Sequence, residues 1–300
     1  MMLVRVTGGL GNQLFQFALG TSLAQQNHTF LKIDTSLLLN RSEPHEVVTH
    51  RELDLDFVFR LDLQFASDSE IRAFNGTSYT HLPGKIYNRL RWELGRKNKL
   101  VVENKRSFQP EILRLPDNRC LVGSWQSEKY FWSHAQDIRN RLVFRHTLGA
   151  ADLELSGRIR AQHSVCLSTR RGDYVTSPVY SKTLGALPAG YFERAVETLM
   201  EKRKVDCIYV FSDDEQWARA NLNFPVETVF VDKSHSGPRY STKFQLMTCC
   251  KHFIIPNSTF GWWAAWLGAD PEKTVVAPAQ WYKDSALDGS DIVPQSWLKI

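Results

Sequence analysis

Short apolar runs alternate with amphipathic segments through the second half of the chain. The apolar runs have the length of buried strands, and the segments between them carry apolar residues at helical spacing. The predicted strands cover residues 165–169, 207–211, 228–231, 253–255 and 274–277. The predicted helices cover residues 189–202, 215–221, 242–250 and 259–267. This alternation indicates a parallel β-sheet with helices on both faces.

The first half opens with the same pattern. Residues 3–7 alternate as a strand does, residues 14–24 give a helix a broad apolar face, and a second strand follows at 30–33. The intervening GGLGNQ has three glycines in four positions, which favours a turn with unusual backbone dihedrals. The sequence predicts a βαβ unit whose glycine loop offers N–H groups to an anion. A tight turn needed only for packing is the alternative.

The middle of the chain is less regular. It predicts short helices near 57–60 and 68–74, a strand at 119–123, and helices at 128–143 and 152–161. No linker rich in Pro, Gly or Ser marks a domain boundary, so the polar helix at 152–161 is taken as the junction. The expected fold class is α/β, with domains at 1–155 and 156–300.

Composition is that of a globular protein with an ample core. The chain has 300 residues, of which 43% are hydrophobic and 23% charged. No stretch approaches the roughly 20 apolar residues of a membrane span, and the start does not resemble a secretory leader, so a cytoplasmic location is expected. The five cysteines lack C-x-x-C spacing and are predicted to be reduced core residues.

Positive charge is concentrated in one segment. The net charge is +5, and between residues 85 and 106 eight basic residues stand against two acidic ones. They are Lys85, Arg89, Arg91, Arg96, Lys97, Lys99, Lys105 and Arg106, against Glu93 and Glu103. A solvated face is expected, with peripheral contact to anionic lipid headgroups or a phosphorylated acceptor as alternatives. The segment lacks the interleaved aromatic residues of a nucleic-acid platform, so no nucleic-acid partner is expected.

Polar residues follow three of the predicted parallel strands. They are Arg170, Arg171 and Asp173 after one strand, Ser212, Asp213 and Asp214 after another, and Asn257, Ser258 and Thr259 after a third. Carboxyl ends of parallel strands meet at one edge, where α/β sheets bind ligands. Two guanidinium groups suit a diphosphate, carboxylates accept from ribose or base, and hydroxyls at a helix start suit phosphate. A nucleotide site is favoured over a surface Arg–Asp pair beside ordinary helix caps.

Two other kinds of site are less favoured. The glycine loop has Leu14 at the third position of the dinucleotide fingerprint, which argues against an oxidoreductase. No G-K-S or G-K-T phosphate loop occurs in the sequence. Asp54 and Asp56 have the spacing of metal ligands in some glycosyltransferases. Their flanking leucines and Phe57 favour simple alternation of buried and exposed positions instead.

Five segments, in chain order, resemble the motifs of glycosyltransferase family 11, the α-1,2-fucosyltransferases. They are GGLGNQLFQFALG from Gly8, LVGSWQSEKYF from Leu121, LSTRRGDYV from Leu167, VFSDD from Val210 and CKHFIIPNSTFGWWAAWLG from Cys250. The resemblance implies a GT-B-like architecture of two Rossmann-like α/β domains facing a cleft. Residues 1–155 would bind the acceptor, and residues 156–300 would bind GDP-fucose. No metal or other cofactor is implied.

The implied reaction is inverting transfer of L-fucose from GDP-β-L-fucose to the 2-hydroxyl of a galactoside. The acceptor would be a galactose-terminated oligosaccharide, lipid-linked or not. The predicted catalytic residues are Arg171, Asn12 and Asp173, of which Asn12 is implied by the resemblance and Asp173 is a candidate by residue type. The predicted donor-binding residues, from the resemblance, the glycine loop and the strand ends together, are Gly9, Gly11, Asn12, Arg170, Arg171, Ser212, Asp213, Asp214, Asn257, Ser258 and Thr259. Among these, Arg170 and Arg171 would hold the β-phosphate, and Asp213 and Asp214 would lie beside the guanosine.

Some assignments stay open at this stage. The family usually has His at the position of Ser168 and Asp at that of Lys243. Candidates for the general base are Asp173, Asp34 and His28, and the departing phosphate is a further alternative. Three tryptophans, Trp125, Trp262 and Trp263, are considered as sugar platforms, and the last two are expected in the core. A catalytically silent nucleotide- or glycan-binding protein of the same fold is the alternative function.

Overall fold

The chain forms two compact α/β units in the computed structural model, which describes residues 1–40, 51–75 and 99–300. Unit 1 comprises Met1–Asp56 and Leu61–Arg141, and unit 2 comprises Phe57–Arg60 and Leu142–Ile300. The predicted boundary after residue 155 falls later than this division. It would cut the helix Ala150–Ala161, whose Leu155 and Ile159 are buried and which contacts the first strand of unit 2.

Unit 1 contains a four-stranded sheet with the order β2-β1-β4-β3. Every adjacent pair of strands is parallel. The strands are β1 (Met2–Arg5), β2 (Leu31–Asp34), β3 (Leu100–Val102) and β4 (Cys120–Val122). The first four α-helices of the described chain are α1 (Leu10–Gln26), α2 (Leu55–Val58), α3 (Asp68–Asn75) and α4 (Ala135–Arg141). The predicted opening βαβ unit is therefore confirmed, since β1 and β2 pair in parallel around α1.

Unit 2 contains a six-stranded parallel sheet with the order β10-β9-β8-β5-β6-β7. The strands are β5 (Ser164–Ser168), β6 (Cys207–Phe211), β7 (Glu227–Val231), β8 (His252–Ile254), β9 (Val275–Ala277) and β10 (Leu298–Lys299). The helices are α5 (Ala150–Ala161), α6 (Gly172–Thr176), α7 (Pro178–Thr183), α8 (Ala189–Met200), α9 (Glu215–Asn221), α10 (Ser241–Met247) and α11 (Thr259–Leu267). The predicted parallel sheet is confirmed.

The core of unit 2 explains why these segments fold as they do. Every residue of β5 and β6 is buried, as expected for strands that are covered on both faces. Helix α8 buries a stripe at helical spacing against the sheet, formed by Tyr191, Phe192, Ala195, Val196 and Leu199. This packing fixes the carboxyl ends of the strands, where the predicted nucleotide residues lie.

One predicted helix is interrupted. Residues 128–143 form two single turns of 3-10 helix, Glu128–Tyr130 and Trp132–His134, before α4 begins at Ala135. Phe131 stands between the turns with φ −138° and ψ 14°, outside the helical region. The ring of Tyr130 is buried and its hydroxyl accepts a hydrogen bond from the Gln109 N–H at 3.0 Å. Tertiary packing therefore overrides the helical pattern of this segment.

Three further predictions concern the membrane, the cysteines and the basic segment. Among the described residues, no helix is long and apolar enough to cross a membrane. All five cysteines are unpaired thiols, and four are buried, as the sequence predicts. Of the basic residues in segment 85–106, only Lys99, Lys105 and Arg106 are described, so membrane contact through it lies largely outside the described residues.

Candidate active site

The predicted nucleotide residues of unit 2 lie at one edge of its sheet, where the strand order reverses. From β5 the chain continues to β6 and β7 on one side, whereas β8, β9 and β10 lie on the other. Ligands of open α/β sheets bind outside the carboxyl ends of strands at such a point. The segment after β5 carries Arg170 and Arg171, and the segment after β8 carries Asn257–Thr259. The structure thus brings these groups to one crevice within unit 2.

Arg170 is held by two carboxylates. Its Nη2 lies 2.8 Å from Asp173 Oδ1, and its Nη1 lies 3.1 Å from Asp213 Oδ2. Burial by itself lowers the pKa of Arg170, but the carboxylates of Asp213 and Asp173 more than offset it, so the pKa lies above its ordinary value. Arg170 is therefore a fixed cation at the mouth of β5, and both of its terminal nitrogens are engaged.

Arg171 is held differently, from its face and from one edge. Its guanidinium carbon lies 3.9 Å from the centroid of the Trp217 ring, and its Nε lies 3.4 Å from Asp214 Oδ2. No hydrogen-bond or ion-pair partner of its terminal Nη atoms is found among the described residues. A guanidinium group held in this orientation is suited to bind an anion, such as two oxygens of a phosphate, through its terminal nitrogens.

Asp213 ties the loop after β5 to the loop after β6. Its Oδ1 accepts from the backbone N–H of Arg171 at 2.8 Å, and its Oδ2 accepts from that of Gly172 at 3.1 Å. A side chain at Gly172 would approach this carboxylate to 3.1 Å. Asp214 caps α9, since its Oδ1 accepts from the N–H of Trp217 at 3.0 Å. Both carboxylates support the arginines here, and their contact with guanosine stays a prediction.

Ser212 and Lys243 make hydrogen bonds that hold the loop between β6 and α9. The Ser212 hydroxyl accepts from Thr169 Oγ1 at 2.7 Å and donates to the Asp214 carbonyl at 2.8 Å. Lys243 is 6% exposed, and its Nζ donates to the Ser212 carbonyl at 2.7 Å. Burial lowers the pKa of Lys243, and the charges of Glu215 and Asp213 act in the opposite direction. Lys243 therefore binds the carboxyl end of β6 from a buried position.

The segment after β8 is also held internally. The Asn257 side chain, 1% exposed, donates from Nδ2 to the carbonyls of Leu184, Gly185 and Trp281 at 2.9, 3.3 and 3.1 Å. Ser258 is the N-cap of α11, and its side chain makes no capping hydrogen bond there. Thr259 is the first residue of the helix and is half-buried. The start of α11 therefore lies at the crevice, with Asn257 as the residue that anchors it.

In unit 1 the glycine loop leads into α1 as predicted. Gly8 has φ +75°, which L side chains avoid, and Gly9 is the N-cap of α1 with φ −81°. Gly11 is buried within the first turn of the helix. Two buried glutamines bind the loop: Gln13 Nε2 donates to the Gly8 carbonyl at 2.9 Å, and Gln16 Oε1 accepts from the Thr7 N–H at 3.0 Å.

Gly8→Ala is expected to lower the free energy of unfolding by about 1–3 kcal/mol. A methyl group at Gly8 would be strained at positive φ and would overlap the side-chain nitrogen of Asn12. Gly9→Ala is the matched control, because φ is negative and the nearest atom to its added methyl, Arg51 Nη1, is 4.0 Å away. Urea unfolding of both variants measures the difference. Equal stability of the two variants would contradict this account of the loop.

Asn12 pairs with a residue that the sequence did not single out. Gln126 Nε2 donates to Asn12 Oδ1 at 2.9 Å, across 114 positions of the chain. Gln126 follows β4, the neighbour of β1 in the sheet, and this adjacency is what brings the two amides together. Trp217 and Lys243 likewise reach the site through strand order. Only the departure at Lys243 gave a signal in the sequence.

The three candidates for the general base lie in different parts of the structure. Asp34 is fully buried in an ion pair with Arg5, whose Nε lies 2.6 Å from Asp34 Oδ2. His28 is exposed just beyond the end of α1, close to Phe30, whose carbonyl accepts from the N–H of Met2 at the start of β1. It therefore lies at the sheet edge opposite the glycine loop. Asp173 alone lies with the arginines, with 19% of its side chain exposed.

The tryptophans belong to the core. Trp125, Trp262 and Trp263 are all 0% exposed, so none offers a face to a sugar ring. The considered platform role of Trp125 is therefore wrong, and the expected core role of the other two is confirmed. Trp125 packs edge-on against Tyr130, with ring centroids 5.7 Å apart.

Ser168, at the end of β5, is also buried. It is 5% exposed, and a side chain added at Gly261 would come within 2.9 Å of its hydroxyl oxygen.

Known proteins resemble this chain over nearly its whole length. The family model described as glycosyl transferase family 11 matches residues 105–300. The O-antigen biosynthesis glycosyltransferase WbnK of Escherichia coli is 30% identical, over 98% of this chain and 99% of that protein. The alpha-1,2-colitosyltransferase of Escherichia coli is 27% identical, over 100% of this chain and 99% of that protein.

Two crystal structures of the fucosyltransferase NodZ share the fold. The protein from Bradyrhizobium gives a TM-score of 0.52 at 17% identity, over 88% of this chain and 91% of that one. NodZ alpha-1,6-fucosyltransferase soaked with GDP-fucose gives 0.51 at 16% identity, over 96% of both chains. The predicted GT-B-like α/β fold class is confirmed. With the family model matching residues 105–300 and a relative 30% identical along nearly its whole length, this chain belongs to glycosyl transferase family 11 and is a glycosyltransferase.

Proposed function

We propose that this glycosyltransferase moves L-fucose from GDP-β-L-fucose to the 2-hydroxyl of a galactoside, with inversion and without a metal ion. The observation that carries the proposal is the pair of guanidinium groups beyond β5, at the same sheet edge as the start of α11. Two relatives of different kinds support it: an α-1,2-transferase of a deoxysugar, and a protein of the same fold whose crystals were soaked with GDP-fucose.

The proposed step breaks the bond between the anomeric carbon and the β-phosphate oxygen. The electron pair stays on GDP, and the acceptor hydroxyl oxygen bonds to the anomeric carbon from the opposite face. Its proton passes to Asp173 or to the departing phosphate. Fixed donors must stabilise the charge that develops on that phosphate. Arg171 is the first choice for this role, with Arg170 as a further donor.

The direct test is incubation with GDP-fucose and a panel of galactose-terminated oligosaccharides, free and lipid-linked. The expected product carries fucose at the 2-hydroxyl of galactose in α linkage, identified by NMR, with release of GDP. Tight GDP binding without transfer or hydrolysis would favour the catalytically silent alternative. Absence of GDP binding by calorimetry in a folded sample would contradict the proposal. The cytoplasmic location also stays a prediction.

Colitose is a second candidate for the transferred sugar. The specific observation is the full-length similarity to the alpha-1,2-colitosyltransferase. Colitose differs from fucose by the absence of the 3-hydroxyl, so both GDP-sugars present the same diphosphate to the arginines. Comparing kcat/KM for the two donors decides between them. A site that hydrogen-bonds the 3-hydroxyl would favour fucose strongly, because the deoxysugar leaves its partner unpaired.

Transfer is expected to proceed unchanged in excess EDTA. The reason is that the cationic groups at the crevice take the place that a divalent metal has in metal-dependent transferases. Initial rates with and without chelator measure this, with a manganese-dependent glycosyltransferase as the positive control. Loss of activity in chelator that manganese restores would instead point to Asp54 and Asp56 as metal ligands.

A further inference from the structure

The sheet of unit 1 has its own point where the strand order reverses. From β1 the chain continues to β2 on one side, whereas β4 and β3 lie on the other. The segments beyond the carboxyl ends of β1 and β4 are the glycine loop, which ends in Asn12, and the turn Gly123–Gln126. Ligands of such sheets bind at this place. The hydrogen bond between Gln126 and Asn12 therefore lies at the predicted ligand crevice of unit 1.

This hydrogen bond fixes which way the Asn12 amide faces. Because Gln126 Nε2 donates to Asn12 Oδ1 at 2.9 Å, the oxygen of Asn12 is turned towards Gln126. The NH2 group of Asn12 is turned the other way and rests against Gly8, where there is no room for a side chain. An amide can rotate by half a turn and exchange donor for acceptor. Donor and acceptor could exchange between the two amides only if Gln126 rotated as well, so the contact couples the orientation of Asn12 to that of Gln126.

The turn that carries Gln126 is braced. The Glu103 side chain, 5% exposed, accepts from the N–H groups of Ser124 at 2.8 Å and Trp125 at 2.9 Å. Arg106 Nη1 in turn donates to the Glu103 carboxylate at 3.0 Å and to the Ser124 hydroxyl at 2.9 Å. A buried carboxylate with two backbone donors holds the backbone firmly.

The brace holds an unfavourable conformation. Trp125 has φ +53° although it is fully buried, and among the described residues its indole Nε1 has no acceptor. Bulky residues avoid this region, and observed strain of this kind clusters at functional sites. Because Gln126 directly follows Trp125, this conformation sets the direction in which the Gln126 side chain leaves the turn towards Asn12.

We propose that Gln126 is a positioning residue for fucosyl transfer: it orients the carboxamide of Asn12 so that its NH2 group faces the reacting sugar. The proposal rests on the proposed function. In this account, the strained conformation of the Gly123–Gln126 turn places Gln126 next to Asn12. A group that acts only through Asn12 affects the chemical step and leaves the affinity for GDP unchanged.

Gln126→Leu is expected to lower kcat about tenfold, the loss that corresponds to one hydrogen bond of ordinary strength. The Kd for GDP and the thermal midpoint are expected to stay near the wild-type values. Gln136→Leu is the matched control, since Gln136 makes the same Gln-to-Asn hydrogen bond, to Asn140 at 2.9 Å, on the exposed side of α4. It should leave kcat unchanged. Normal kcat in Gln126→Leu would overturn the proposal.

Two readouts separate positioning from a general structural role. In an Asn12→Ala background, Gln126→Leu should change kcat by less than about twofold, since the group it orients is gone. If the double variant instead loses kcat by the product of the two single losses, the proposal is overturned.

The second readout is the pH dependence of Gln126→Glu. This variant keeps the shape of the side chain but donates to Asn12 only when protonated, around pH 4.3 for an ordinary glutamate. Its kcat relative to wild type should therefore rise about two- to threefold from pH 7 to pH 5, and a flat ratio would count against the proposal.

Failure of this inference is distinguishable from failure of the proposed function. Wild-type transfer of fucose together with additive effects of the two substitutions would remove the role of Gln126 alone. A wild-type protein that binds GDP but transfers no fucose to any acceptor would overturn the proposed function and this inference with it. The Gln126→Glu variant keeps the test decisive if the leucine variant fails to fold.

Discussion

Arg171→Ala is expected to lower the turnover of fucose transfer by about 10²-fold or more, the scale seen when one preorganised donor to a developing negative charge is removed. The guanidinium is gripped by Trp217 at 3.9 Å and by Asp214 at 3.4 Å, so its terminal nitrogens are already oriented before substrate arrives. An oriented donor stabilises the departing β-phosphate without reorganisation. Single-turnover kinetics with saturating GDP-fucose measure the chemical step.

The fold should survive this change. Arg171 contributes its backbone N–H to Asp213, which alanine retains, so circular dichroism and the thermal midpoint should stay close to wild type. Arg158→Ala is the control, because Arg158 is 53% exposed, lies in α5 and contacts Glu227 at 3.7 Å. It should leave turnover unchanged. Near-normal turnover of Arg171→Ala would refute the assignment of Arg171 to the leaving group.

The architecture of both units could be predicted because strands and helices have distinct periods. The strand Cys207–Phe211 and the helices Glu215–Asn221 and Thr259–Leu267 have the bounds that the sequence predicts. The strands Leu100–Val102 and Leu298–Lys299 are too short to carry a period, and the sequence does not predict them. Their pairing with neighbouring strands defines them instead.

The position of the site could be predicted, but its contacts could not. Parallel strands place Arg170, Arg171 and Asp213 at one edge whatever the strand order, so the sequence suffices for that step. The partner of each group depends on which strands are adjacent. Sequence alone gives no reason to join Gln126 to Asn12, nor Trp217 to Arg171. Both contacts follow from the pairing of β4 with β1 and of β6 with β5.

The role of Asp34 illustrates the same limit. Its place at the end of β2 made it a candidate for the general base, as residue type and strand position allow. The structure shows the carboxylate 0% exposed, with Oδ2 paired to Arg5 and Oδ1 accepting from the Ser36 N–H at 2.8 Å. A carboxylate enclosed in this way is not placed to take a proton from a substrate hydroxyl. Its function is to stabilise unit 1.

Asp34→Ala is therefore expected to lower the free energy of unfolding by about 3–5 kcal/mol, the cost of breaking a buried ion pair from one side. The change removes the carboxylate 2.6 Å from Arg5 Nε and leaves that cation, 11% exposed, with little access to water. Urea unfolding measures the loss. Arg141→Ala is the control: Arg141 Nε pairs with Asp137 at the same 2.6 Å, but both side chains are 42–50% exposed. An exposed pair of this kind contributes less than about 1 kcal/mol.

A double substitution tests the cause. Arg5→Met combined with Asp34→Leu removes both charges, and replacing a buried ion pair by apolar groups is often close to neutral. The double variant is therefore expected to recover most of the stability that Asp34→Ala loses, which a simple loss of packing would not allow. Asp34→Asn adds the functional readout, since it keeps the shape but not the charge. A folded Asp34→Asn protein that has lost transfer activity would return Asp34 to the candidates for the general base, whereas retained activity at reduced stability fits a purely structural ion pair.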